Sequence, residues 1–140
     1  MTSIRVLIAD GHKWVRQGLR EFLESSDDIS VIAEAETGAQ VIDLYKRYRP
    51  DVILLDLMIS QEGGLFVAQA IKSIETSARI IILTACEELN DAYFTLSQHD
   101  FDGYLIKTCE VTELQDAVRT VYHGSKVFKP SESVPSIVDS

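Results

Sequence analysis

Five short apolar runs, rich in Ile, Val and Leu, alternate along the chain with segments of helical spacing. The runs are 4–9 (IRVLIA), 29–35 (ISVIAEA), 51–57 (DVILLDL), 79–85 (RIIILTA) and 103–107 (GYLIK). The third and fourth are almost continuously apolar, which is typical of parallel strands that are covered on both faces. The pattern therefore predicts five strands, each followed by a helix.

Apolar residues in four of the intervening segments repeat at steps of three and four, as on one face of a helix. These positions are Val15, Leu19 and Phe22; Val41, Tyr45 and Tyr48; Val67, Ile71 and Ile74; and Leu114, Val118 and Val121. The segment 88–99 shows a weaker helical pattern. Thr37 with Gln40 predicts a capping box at the start of the second helix. Pro50 predicts the end of that helix, and Gly124 the end of the last one.

Strict strand–helix alternation predicts an α/β fold, in which a parallel sheet carries helices on both faces. Right-handed crossovers favour a doubly wound five-stranded sheet of order 2-1-3-4-5. Residues 125–140 contain five serines and two prolines. We interpret residues 1–124 as one domain and residues 125–140 as a linker or tail that adds no sixth element.

Charge and composition exclude several classes of function. The net charge is −9 and the isoelectric point about 4.7, so the chain should repel a phosphate backbone and not bind nucleic acid directly. No apolar stretch approaches the roughly 20 residues that span a bilayer, and the first residues lack the pattern of a signal peptide. The two cysteines match no metal-ligand spacing. These features predict reduced thiols and a cytoplasmic protein.

Four polar residues stand where predicted strands end. Asp10 follows the first strand and Asp56 ends the third, while Thr84 ends the fourth and Lys107 the fifth. In an open parallel sheet, ligands bind outside the carboxyl ends of the strands. Two acids and a lysine at this edge favour a Mg²⁺ site at which an aspartate accepts a phosphoryl group. The alternative is a buried Asp–Lys pair that only stabilises the sheet.

Asp56 is the predicted nucleophile, because it closes the most apolar run and a buried carboxylate there needs compensating charge. Lys107 can supply that charge and neutralise the transferred phosphoryl oxygens, and Thr84 can donate a hydrogen bond to one of them. Tyr104 lies three residues before Lys107, so its ring points to the other face of the sheet. It is either a half-buried strand aromatic or a rotamer switch that turns inward when Thr84 moves.

Taken together, the stretches IRVLIAD, WVRQGLREFLE, PDVILLDLMI, GGL, RIIILTA and DGYLIK resemble a response-regulator receiver domain of the NarL/LuxR type, over about residues 4–124. The resemblance implies a flavodoxin-like fold and no enzyme activity beyond signalling. It implies that Asp56 is the phosphoacceptor served by a sensor histidine kinase. Thr84 and Lys107 would bind the phosphoryl group, Thr84 and Tyr104 would form the switch, and the Met58 backbone carbonyl would join the metal site.

The sequence departs from the family pattern next to Asp10. The family usually has two adjacent acids after the first strand, whereas Gly11 stands in the second position here. An outer-shell partner is typically worth ~10–100-fold in metal affinity, and a direct carboxylate ligand at least as much, so we predict weakened Mg²⁺ binding. The glycine pair Gly63–Gly64 should loosen the loop after Asp56, and Glu62 could replace the lost acid. Asp100 occupies a position where the family usually has glycine.

Two functions follow from these features. The first is a phosphorylated switch in transcription regulation that acts on an output domain or partner. Its expected output face comprises helix four, strand five and helix five, and helices one and five could equally support a homodimer. The second is a phosphorylation-independent interaction or dimerisation module. An unrelated binding protein or hydrolase would need a glycine-rich phosphate loop after the first strand, which is absent. Regulators of this type usually carry a helix-turn-helix domain after the linker, so the chain is either an excised receiver or a single-domain regulator.

Overall fold

Because local sequence patterns fix most of its elements, the chain folds as the alternation of strands and helices predicts. The computed structural model describes residues 3–59, 63–85 and 101–128. The predicted helix at 88–99, Glu62, Asp100 and most of the predicted tail lie outside these ranges. The elements, in chain order, are β1 (Ile4–Ala9), α1 (Lys13–Glu24), β2 (Ile29–Ala35), α2 (Gly38–Tyr48), β3 (Val52–Asp56), α3 (Gly64–Ile74), β4 (Ile80–Thr84), β5 (Gly103–Ile106), α4 (Val111–Tyr122) and β6 (Val127–Phe128).

The strands form one parallel sheet of order β2-β1-β3-β4-β5-β6. The predicted order 2-1-3-4-5 is confirmed. The prediction that residues 125–140 add no sixth element is wrong at Val127 and Phe128, which pair with Gly103 and Tyr104 on the outer edge of β5. A two-residue strand is too short to produce a periodic pattern in the sequence. The open edge of β5 nevertheless provides backbone groups with which it pairs.

Each face of the sheet carries its own hydrophobic core and two of the described helices. On one face, Val41 and Tyr45 of α2 and Val67 and Ile71 of α3 pack over the sheet. On the other face, the buried helical residues are Leu19 and Leu23 of α1 and Leu114, Ala117, Val118 and Val121 of α4. The predicted helices on both faces are therefore confirmed. None of the helices in the described ranges is long and apolar enough to cross a membrane.

Two of the apolar positions predicted for the helix faces lie at the surface instead. Phe22 is 42% exposed and Tyr48 is 43% exposed. Leu23, four residues after Leu19, is fully buried and takes the place predicted for Phe22. Steps of three and four both keep a side chain near one stripe of a helix, and only the tertiary packing selects between them.

The predicted ends of the helices are largely confirmed. The Thr37 side chain accepts a hydrogen bond from the Gln40 backbone N–H. The Gln40 side-chain oxygen accepts a bond from the N–H of Glu36, one residue earlier than in a capping box, so the predicted box forms only in part. The helix α2 ends at Tyr48, two residues before Pro50. Gly124 follows the C-cap of α4 with a φ of 96°, which glycine adopts without steric cost.

Candidate functional site

The carboxyl ends of β1, β3, β4 and β5 bring the predicted polar residues to one edge of the sheet. Asp10 is 1% exposed, Asp56 is 4% exposed and Thr84 is 1% exposed. Backbone hydrogen bonds continue past the strands here, since the Lys107 N–H donates to the Thr84 carbonyl at 2.7 Å. Buried carboxylates need partners that compensate for the loss of water. The partners of both acids therefore define the site.

Lys107 is the cation that joins the two acids. Its Nζ lies 2.5 Å from Asp10 Oδ2 and 3.2 Å from Asp56 Oδ1. The Lys107 side chain is 16% exposed, so the ammonium group lies in the pocket rather than in bulk water. Two carboxylates and one ammonium leave the cluster with a formal charge of −1. The site therefore remains attractive to a further cation.

The second oxygen of Asp10 faces the start of α1. Asp10 Oδ1 accepts the His12 backbone N–H at 2.8 Å and lies 3.1 Å from His12 Nδ1. The sequence favours His12 as a helix-start residue rather than a ligand, and it is the N-cap residue of α1. That its imidazole reaches the acidic site was missed. An Asp side chain that bonds the backbone two residues later is a common turn motif, and the D-x-H spacing was the available signal.

Arg16 supports Asp10 from the first turns of α1. Its Nη1 donates to the Asp10 backbone carbonyl at 2.7 Å, and its Nε contacts Glu34 Oε1 at 3.1 Å. The guanidinium thus ties the end of β1 to β2 and α1. It fixes the main chain that presents the Asp10 carboxylate. Sequence reasoning did not identify this residue, because a helical arginine more often faces solvent.

Asp56 is held through one of its two oxygens. Oδ1 accepts the Met58 N–H at 3.2 Å and faces Lys107. Every hydrogen bond and ion pair that joins the Asp56 carboxylate to another described residue falls on Oδ1. The Met58 side chain is 72% exposed beside this carboxylate. The arrangement orients the group through Oδ1 and leaves Oδ2 without a hydrogen bond from the described residues.

Tyr104 is buried in the core on the α2 and α3 face. Its side chain is 1% exposed, so it is turned inward rather than half-buried. Tyr104 pairs with Ile82 in the sheet, and Thr84 pairs with Ile106. The sheet thus places the two predicted switch residues on neighbouring strands, offset by two residues along the strand direction.

The exposed aromatic closest to the site in sequence is Trp14. Its place at the start of the first helix predicts a partly exposed residue at the rim of the site, and it is 79% exposed in α1. The thiol of Cys109, after β5, is half-buried; burial, and to a smaller extent Glu113, raises its pKa to about 11. It is therefore a poor nucleophile at neutral pH. Cys86 lies outside the described residues.

Gly64 packs tightly against the chain that carries Asp56. Its N–H donates to the Leu57 carbonyl at 2.7 Å. A Cβ built on Gly64 would lie 2.6 Å from the Asp56 carbonyl oxygen and 3.0 Å from the Leu57 Cα. The sequence predicts that the Gly63–Gly64 pair loosens this loop. In the described part of the loop, Gly64 instead permits a close backbone approach, which needs the smallest residue.

Replacing Gly64 by Ala is therefore expected to lower the free energy of unfolding by about 1–3 kcal/mol, as overpacking does. Gly18 offers a matched control, because it lies inside α1 and its Cβ would meet no atom of the described residues within 4 Å beyond the adjoining backbone of its own helix. The Gly18→Ala substitution should stabilise the protein by about 0.5–1 kcal/mol through helix propensity. Urea unfolding of both variants measures the two free energies. Equal effects of the two substitutions would contradict the close approach at Gly64.

An open parallel sheet with two buried acids and a lysine at its carboxyl edge defines a doubly wound domain whose polar site lies where such folds bind ligands. The response regulator receiver domain family matches residues 6–119, which is most of the chain. The chain therefore belongs to the response regulator receiver domains, and the predicted family and flavodoxin-like fold are confirmed.

Individual relatives agree with this family. The chain is 41% identical over 127 residues to the nitrate/nitrite response regulator protein NarP of Escherichia coli strain K12, which covers 91% of this chain and 59% of that protein. It is 33% identical over 128 residues to the response regulator protein VraR of Staphylococcus epidermidis, with 91% and 61% covered. Among solved structures, the signal receiver domain of NarL from Mycobacterium tuberculosis superposes with a TM-score of 0.81 at 33% identity, with 89% of this chain and 99% of that chain covered.

The chain spans about three fifths of the length of the two curated relatives. Both relatives are response regulators by name, and the phosphorylation-independent module considered from the sequence gains no support from them. The chain is thus a receiver domain of a two-component response regulator, a signalling module of the NarP and VraR type.

Proposed function

We propose that this receiver domain accepts a phosphoryl group on Asp56 from a phosphohistidine of a sensor histidine kinase. The observation that carries the proposal is the Asp56 carboxylate, buried at the end of β3 with the Lys107 ammonium 3.2 Å from one oxygen. A carboxylate held beside a fixed cation is suited to attack phosphorus, because the cation neutralises charge on the transferred group.

The transfer is an in-line displacement at phosphorus. Asp56 Oδ2, which carries no hydrogen bond from the described residues, forms the new P–O bond while the P–N bond to the kinase histidine breaks. The bonding electrons go to the departing imidazole nitrogen, which takes up a proton. Lys107 then pairs with a phosphoryl oxygen, and the Thr84 hydroxyl donates a hydrogen bond to another.

The residues at this edge fit a divalent cation. The carboxylate oxygens of Asp10 and Asp56, together with a His12 ring nitrogen, lie within 4.8 Å of one another. Asp10, Asp56 and the Met58 backbone carbonyl would supply oxygen ligands of the kind Mg²⁺ prefers. When bound, the ion adds positive charge beside the phosphoryl oxygens. Gly11 adds no side-chain ligand, so the proposal includes weak Mg²⁺ binding.

The proposed output is a shift between two conformations rather than a chemical product, so the domain acts as a switch and not as an enzyme. Thr84 moves toward the phosphoryl group. The inward Tyr104 ring couples this movement of Thr84 to the face formed by the fourth predicted helix, β5 and α4. An output domain or protein partner would bind there.

The proposal extends to the cellular role, location and partners of the domain. NarP and VraR are response regulators, which supports a role in transcription regulation in the cytoplasm through an output domain or a homodimer. The net charge of −9 argues against direct nucleic acid binding by this chain.

The test uses acetyl phosphate and Mg²⁺ with the full chain, followed by intact mass spectrometry. The protein should gain the mass of one phosphoryl group, and the Asp56→Asn variant should gain none. Asp43→Asn, at an exposed position of α2, is the matched control and should be modified like the unaltered chain. Beryllofluoride should change Trp14 fluorescence in the unaltered chain and leave it unchanged in Asp56→Asn. An adduct that survives in Asp56→Asn, or no adduct at millimolar Mg²⁺, would contradict the proposal.

A further inference from the structure

The imidazole of His12 is the one group of the acidic cluster that phosphoryl transfer leaves unused. Its side chain is 77% exposed, yet its Nδ1 lies 3.1 Å from Asp10 Oδ1, a carboxylate that is itself 1% exposed. One His12 ring nitrogen and one oxygen each from Asp10 and Asp56 lie within 4.8 Å of one another. An exposed histidine has many rotamers that face water, and this one instead contacts the buried Asp10 carboxylate at hydrogen-bond distance.

The separation of these atoms matches that of two ligands on one metal ion. Ligands at right angles, each about 2.1 Å from a divalent ion, lie about 3 Å apart. His12 Nδ1 and Asp10 Oδ1 show this separation. The His12 main chain is also held at this carboxylate, since its extended backbone (φ −105°, ψ 116°) lets its N–H donate to the same Asp10 oxygen at 2.8 Å.

Lys107 leaves this side of the cluster open. Its ammonium contacts Asp10 Oδ2 and Asp56 Oδ1, whereas His12 faces Asp10 Oδ1. The two carboxylates retain a formal charge of −1 after pairing with Lys107. A cation that enters beside His12 therefore meets uncompensated negative charge and does not have to displace the lysine from Asp10.

We propose that His12 is a nitrogen ligand of the divalent ion in this site, together with carboxylate oxygens of Asp10 and Asp56. The set of two carboxylates and one imidazole makes the site selective for divalent transition ions over Mg²⁺. Imidazole is a ligand of choice for ions such as Co²⁺, Ni²⁺ and Zn²⁺, whereas Mg²⁺ takes oxygen ligands and keeps its water. Gly11, between Asp10 and His12, supplies no side-chain oxygen that would favour Mg²⁺. The inference rests on the proposed function, since it names the ion of the same site.

The experiment compares Co²⁺ with Mg²⁺ on the full chain. Binding is followed by calorimetry, by quenching of Trp14 fluorescence, and by the absorption of Co²⁺, which reports the number and type of its ligands. The unaltered chain should bind Co²⁺ at least about tenfold more tightly than Mg²⁺. His12→Ala should lose about tenfold or more of the Co²⁺ affinity and keep its Mg²⁺ affinity within about twofold, because only the nitrogen ligand is removed.

His123→Ala is the matched control, because His123 is exposed at the end of α4. It should bind both ions like the unaltered chain. The His12 side chain makes no helix-capping hydrogen bond, so His12→Ala should fold normally, as unfolding in urea would verify. Equal Co²⁺ affinity in His12→Ala and the unaltered chain, or an equal loss for both ions, would overturn the inference. Absorption typical of a thiolate ligand would do so as well.

Phosphorylation separates this inference from the proposed function. If acetyl phosphate modifies Asp56 and His12→Ala binds Co²⁺ normally, the role of His12 is wrong and phosphoryl transfer stands. If His12→Ala loses Co²⁺ selectively but no phosphoryl group reaches Asp56 with either ion, the metal site stands and the proposed function is wrong.

Discussion

Replacing Lys107 by Met is expected to lower the free energy of unfolding by about 3 kcal/mol in the absence of divalent ions. Breaking a buried ion pair by removing one partner costs about 3–5 kcal/mol, and the partial exposure of Lys107 places it at the lower end of that range. Its ammonium is the only described cation that contacts both Asp10 and Asp56. Without it, two carboxylates that are 1% and 4% exposed face each other unpaired.

Urea unfolding in EDTA measures this effect, with Lys46→Met on the exposed surface of α2 as the matched control. A surface substitution away from such a cluster should stay within about 0.5 kcal/mol. Adding Asp10→Asn to Lys107→Met should restore part of the loss, because one unpaired charge is removed. The double-mutant cycle should therefore show coupling of about 1 kcal/mol or more. A loss no larger than that of Lys46→Met would refute the electrostatic role of Lys107.

Divalent ions provide a second readout of the same cluster. A ligand that binds the folded state stabilises it by mass action. Since Lys107→Met leaves a cluster of higher negative charge, a divalent ion should raise the unfolding midpoint of this variant more than that of the unaltered chain. The lysine and the ion thus act as alternative sources of positive charge for one pair of acids.

The strands and their ends are predictable from sequence because burial on both faces leaves nearly uninterrupted apolar runs. The run at 51–57 contains β3 (Val52–Asp56), and the run at 79–85 contains β4 (Ile80–Thr84). The polar residue that ends each run marks the carboxyl edge of the sheet. For this reason the meeting of Asp10 with Lys107, 97 positions apart, follows from topology alone.

What local patterns do not determine is decided by tertiary packing. The strand β6 forms because α4 returns the chain to the free edge of β5, and its two residues carry no period of their own. The burial of Leu23 in place of Phe22 depends on the angle at which α1 lies on the sheet. The reach of His12 toward Asp10 depends on one turn and one rotamer, which residue types alone do not specify.

Gly11→Asp is expected to tighten Mg²⁺ binding by about tenfold or more, since even an outer-shell partner of a metal site is typically worth ~10–100-fold. The backbone permits the change, because Gly11 is exposed and is not among the described glycines of positive φ. Among the described residues outside its chain neighbours, a Cβ built there would contact the Glu36 carbonyl oxygen alone, at an ordinary 3.7 Å. The new side chain, one residue after Asp10, can therefore be accommodated without displacing the chain.

The same substitution should destabilise the protein when no divalent ion is present, because a third carboxylate joins the two that Lys107 already serves. Gly11→Asn is the matched control, as it adds a side chain of equal size without charge. Calorimetric titration measures the affinities, and urea unfolding with and without Mg²⁺ measures the two stabilities. Unchanged Mg²⁺ affinity in Gly11→Asp would show that the residue beside Asp10 does not limit the metal site.

The change at Gly11 should also move the preference among ions. An added oxygen ligand favours Mg²⁺, whereas the His12 imidazole favours transition ions. The ratio of Co²⁺ to Mg²⁺ affinity is therefore expected to fall in Gly11→Asp and to fall further when His12→Ala is added. If Gly11→Asp raised the Mg²⁺ affinity and lowered the Co²⁺ affinity, residues 11 and 12 would be acting on one metal ion. If Gly11→Asp instead tightened both ions equally, the added charge alone would account for its effect, and the identity of the ligand atom would not set the choice of ion.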